Sequence, residues 1–158
     1  MGQIGTLDKA ATAAGRLILE ALGEGHPARS LSRLGDSPRA IRLLRELFTV
    51  AVRRSFVGRE PREVTRYVRD LLEYQSLTAD GELAREAEAM IRGAIGEAEL
   101  TNGLADLRRF ELICHVLGDL ARPPGVPRAD LLALVDQAEK RVARFDRPRN
   151  RVVGRRSV

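Results

Sequence analysis

The chain has no tryptophan, one cysteine and two histidines among its 158 residues, and each shortage closes a class of function. A lone Cys114 forms no internal disulfide, so the fold must stand on its core, and a reducing compartment, the cytoplasm, is expected. Cysteine pairs with zinc-ligand spacing are missing, and His26 and His115 are the only imidazoles. Aromatic side chains are limited to Phe48, Phe56, Phe110, Phe145, Tyr67 and Tyr74, which leaves the core to Leu, Val, Ile and Ala. No apolar run approaches the roughly 18 residues needed to span a bilayer, so no membrane partner is expected. The stretch from Ala10 to Leu22 is broken by Arg16 and Glu20 and makes a poor secretory signal.

Alternating, strand-like runs are absent too, whereas apolar residues recur with helical period along nearly the whole chain. The expected fold is therefore all-α: a single-domain bundle of about six helices joined by short Gly/Pro loops, over residues 1–146, followed by a basic tail at 147–158. Thr6 is placed to cap a first helix with Leu7, Ala10, Ala11, Ala14, Leu17, Ile18 and Ala21 on one face. After a short turn in "PARSLSRL", Ser37-Pro38 opens a central helix over 38–56, since a cap residue followed by proline is a start signal. Further helices are predicted over 62–75, 82–99, 104–121 and 128–145. Their inward stripes are predicted to include Ala98, Leu107 and Phe145 at or near helix ends. "FVGREPREV" and "RPPGVPRADL" each join two amphipathic segments and predict two helical hairpins.

Charge is unevenly laid out. Twenty-five of the basic residues are Arg and two are Lys, which with abundant Ala and Gly suggests a GC-rich, bacterial genome. That origin argues against lipidation at "MGQIGT", although the pattern for myristoylation is present. The formal net charge of +5 comes wholly from Arg147, Arg149, Arg151, Arg155 and Arg156, because residues 1–146 balance. Within that body residues 1–69 are net basic and residues 70–139 net acidic. The tail is expected to be flexible and able to meet phosphates or an acidic surface.

Chemistry-bearing motifs are sparse. His115 shares a helical stripe with Glu111 and Asp119, a candidate set for a divalent metal, but Arg108 and Arg122 extend the same stripe and oppose a cation. Cys114 falls in line with Phe110 and Leu117 and is expected to be a buried small hydrophobe. "ALGEGH" lacks the spacing of a phosphate loop, and no serine lies in a nucleophile elbow. The residues call for no cofactor and favour a non-catalytic protein. The segment 51–72 is similar to a helix-turn-helix, with Arg62, Arg66 and Arg69 on an exposed strip. Arg54 is bulky where close helix packing needs a small residue, and Asp70 and Glu73 stand beside the arginines. The expectation is a small helical interaction or regulatory module that meets a protein partner or a second copy. The alternatives are a DNA-binding regulator using 51–72 and the tail, and a helical metal protein or enzyme centred on Glu111, His115 and Asp119.

Overall fold

The structure, a computed structural model, describes residues 12–77 and 81–147. Among them are seven α-helices and no strand: α1 (Ala13–Leu22), α2 (Pro27–Ser32), α3 (Pro38–Phe56), α4 (Pro61–Tyr74), α5 (Gly81–Ala94), α6 (Asp106–Ala121) and α7 (Arg128–Phe145). Short 3-10 turns cover Arg33–Asp36 and Ala98–Thr101. The count exceeds six because "PARSLSRL" forms a helix of its own, opened by Pro27 and anchored by the buried Ser30 and Leu31.

Local chemistry sets the helix ends. Ser37 accepts the Ala40 N–H at 3.2 Å and Pro38 fixes the first turn of α3. At α4 the Glu63 carboxylate accepts the Glu60 N–H at 2.8 Å, with Pro61 at the start. The first helix opens at Ala13 rather than after Thr6, because Thr12 is extended and its hydroxyl accepts the Gly15 N–H at 3.0 Å. Thr6, Leu7, Ala10 and Ala11 lie outside the described residues. Helix α5 also ends earlier than the predicted residue 99. Gly96 takes φ +136°, which lets the Glu97 N–H return to the Arg92 carbonyl at 3.0 Å, and the Arg92 side chain locks the turn by pairing with Glu97 at 2.6 Å. Ala98 is then exposed on the 3-10 turn.

Helix α3 runs through the middle, with Leu43, Leu44, Leu47, Phe48, Val50, Ala51, Val52 and Phe56 buried around most of its circumference. All seven helices contribute to one apolar cluster. The packing pairs correct the hairpin expectation: α3 lies against α7, α2 against α6 and α4 against α5, while α3 with α4 and α6 with α7 make little contact. Proline turns joined those segments without pairing them. The α3–α7 seam is tied by Arg141 to Glu46 at 2.7 Å and by Arg42 to Asp146. A buried carboxylate, Glu139 on α7, reaches the N-terminus of α1, where it accepts the Thr12 N–H at 3.0 Å and the Thr12 hydroxyl at 2.6 Å. A Cβ on Gly15 would sit 2.0 Å from that carboxylate, so the small residue makes the tie possible. Four residues predicted to face inward do not: Leu17, Ala98, Leu107 and Phe145 are exposed.

Candidate functional site

A groove of about 840 Å³ runs along the outer face of α6, between α2 on one side and the C-terminal end of α4 with the start of α5 on the other. Its volume is in the range of small-ligand pockets. The floor follows from helical periodicity: Arg108, Glu111, His115, Asp119 and Arg122 share one stripe about 21 Å long at 1.5 Å per residue. The α2 wall is set by Gly118, where a Cβ would lie 2.6 Å from the Ala28 nitrogen, so α2 settles directly on the α6 backbone. The opposite wall owes its shape to Ser76, which adopts φ +57° beyond α4. This lets the Leu77 N–H return to the Leu72 carbonyl at 2.8 Å and brings Leu77 to the groove. Leu83 of α5 also lines it.

Polar bridges hold α4 to α6 across the floor. The Gln75 side chain donates to the His115 carbonyl at 3.4 Å. Arg122 stacks its guanidinium over the Tyr74 ring at 3.6 Å and donates to Asp119 at 2.9 Å. Asp119, 13% exposed, stands against the buried Tyr67 hydroxyl without an aligned hydrogen bond. Burial first and the Asp119 carboxylate second push the Tyr67 proton affinity well above the usual phenol range. At the other end Arg108 pairs with Glu86 at 2.9 Å and with Glu111 at 3.4 Å. Two large apolar side chains are exposed: Tyr74, which lines the groove, is 62% exposed, and Leu107, on the same side of α6 as Glu111 and Gly118, is 72% exposed. Beyond Arg122 a second cleft continues between the α1–α2 loop and the turn from Pro123 to Arg128.

The candidate metal residues meet arginines rather than one another. Glu111 pairs with Arg108 and Asp119 with Arg122, and no group of three His, Cys, Asp or Glu among the described residues is placed to hold a metal. Burial pulls His115 below the ordinary imidazole range, opposed in part by Glu111. Cys114 is buried as expected, and burial pushes its thiol up to about 12, which removes the thiolate a nucleophile needs.

Arg62, Arg66 and Arg69 are exposed along α4, as the helical strip predicted. Arg62 pairs with Glu60 at 2.6 Å and Arg69 with Asp70 at 3.3 Å. Arg54 reaches Asp130 on α7, and α4 packs chiefly on α5, while Tyr67 of α4 meets Phe56 of α3 edge-on at 4.8 Å. Arg147 is exposed just past α7, and Arg149, Arg151, Arg155 and Arg156 lie outside the described residues. No helix among the described residues is long and apolar enough to cross a membrane. The groove itself was not foreseen. The stripe from Arg108 to Arg122 was visible as a charged face, but nothing local signals that α2 and α4 rise on either side of it. No protein-family model, curated protein or solved structure matches the chain.

Proposed function

We propose that this protein is a non-catalytic interaction module that seats a segment of a partner protein in the groove over α6. The observation that carries this reading is a walled groove lined by the exposed Tyr74, with the exposed Leu107 on the same side of α6. Large exposed side chains of this kind serve as anchors when a partner covers them. The polar floor between them supplies register rather than affinity: its arginines are matched by carboxylates, so a mispositioned segment would break an ion pair. A catalytic reading finds less support, because the thiol is buried and the carboxylates of the floor are held by arginine.

The test is affinity capture from the cells that make the protein, with light scattering of the purified chain, in three versions: wild type, Leu107→Asp and Tyr74→Asp. Both changes fall on exposed positions, and an unaltered melting temperature of each variant checks that the fold is kept. A partner or second copy should associate with the wild type and be lost by about tenfold or more in each variant, the usual size of an anchor effect. Association that survives both changes overturns the groove as its seat. A strict monomer that captures nothing overturns the interaction reading itself.

A further inference from the structure

Two buried side-chain nitrogens on the groove floor, His115 Nδ1 and Arg122 Nε, have no hydrogen-bond partner. Two buried oxygens near the floor, Tyr67 Oη and Glu86 Oε2, make no aligned hydrogen bond but stand against Asp119 and the Arg108 guanidinium. Proteins leave few buried polar groups without a partner, and the Arg122 Nε–H is a donor that a ligand at the seam can meet.

We propose that the α4–α6 seam of this groove is a binding site for a flat, neutral ring with a lactam edge, the chemistry of a nucleobase. Charge balance selects neutrality. At the seam Arg122 is matched one to one by Asp119, so a full charge of either sign finds no spare counter-ion beside them. The orphaned groups select the edge: the Arg122 Nε–H is a donor in want of a carbonyl, and next to it Asp119 accepts an N–H. A lactam presents that pair side by side. Stacking selects flatness, because the exposed Tyr74 ring already carries the planar Arg122 guanidinium on its face. A bound ring takes the guanidinium's place on Tyr74, and Arg122 turns its Nε–H to the carbonyl while keeping its hold on Asp119. Leu77 and Leu83 supply the apolar wall for the rest of the ring. The site stands whether or not a protein partner uses the same groove.

The test is NMR titration of the full chain with uracil, 1,3-dimethyluracil and benzoate, following the side-chain resonances of Tyr67, Tyr74 and His115. Uracil should shift all three with a Kd of about 1 mM, the scale expected of so small a ligand. Dimethyluracil, which keeps the ring and carbonyls but cannot donate to Asp119, should bind about tenfold more weakly. Tyr74→Leu, an exposed change checked by an unaltered melting temperature, should weaken uracil about fivefold by removing the stack. No shift at tens of millimolar uracil, equal binding of dimethyluracil, or tighter binding of benzoate would each overturn the proposal.

Discussion

The protein has two imidazoles, and they sit in unlike places: His26 is exposed in the α1–α2 loop, whereas His115 is half-buried on the floor of the groove with its Nδ1 sealed from water. Burial disfavours the charged form of His115 and lowers its proton affinity, and Glu111 only partly restores it. In the unfolded chain the same side chain titrates near 6.5. The unfolded state therefore binds more protons than the folded state as pH falls through that region, and the linkage drains stability from the fold. Stability contributed by a neutral His115 is full above about pH 6.5 and lost progressively below it. Urea unfolding of wild type and His115→Gln at pH 7.5 and 5.5 checks this. The wild type should lose more stability on acidification than the variant; equal losses would show that His115 does not carry the effect. Cys114, about 100° around the helix from His115, faces the core, and its position in line with Leu117 was legible in the sequence because helical period alone places it.

At the scale of elements, the start of α3 was the most legible feature, since Ser37-Pro38 acts through bonds within three residues. Helix ends were less so. The stop of α5 at Ala94 depends on Gly96 taking a left-handed turn, short of the predicted residue 99. Phe145, 74% exposed, was misread for a different reason: its stripe is continuous with Val135 and Ala138, yet at the last residue of α7 it faces water. Pairing was the least legible of all, because α2 finds α6 across most of the chain. That contact rests on Gly118, whose missing Cβ lets the Ala28 backbone approach. Gly118→Ala puts a carbon 2.6 Å from a backbone nitrogen, and neither helix has a flexible side chain to yield. The overpacking should cost about 1–3 kcal/mol, measured by thermal or urea unfolding. The displaced α2 wall should also weaken whatever the groove holds. A variant as stable as wild type would mean that the two helices separate without cost.

At the scale of the whole molecule, the charge layout sharpens the question of nucleic acid. The body of residues 1–146 is balanced, and the structure shows the balance to be local as well as global: arginines on α3, α4 and α6 are met by Asp146, Asp130, Glu60, Asp70, Glu86 and Asp119. An arginine that must leave a carboxylate to reach a phosphate gains little from the exchange, so α4 is a poor electrostatic platform even though Arg62, Arg66 and Arg69 share a face. The five arginines from Arg147 to Arg156 have no acid among them in the chain. Affinity for duplex DNA should therefore belong to the tail and be independent of sequence. Titration of a labelled duplex with the full chain across salt should give a log–log slope no steeper than about −4.5, the limit set by five phosphate contacts. A chain ending at Asp146 keeps every helix and the net charge of zero, and it should not bind even at low salt. If that shortened chain still binds with a slope near −3, three phosphates are being met by the body. The arginines of α4 would then have given up Glu60 and Asp70 to do so, and the helix face rather than the tail would be the nucleic-acid surface.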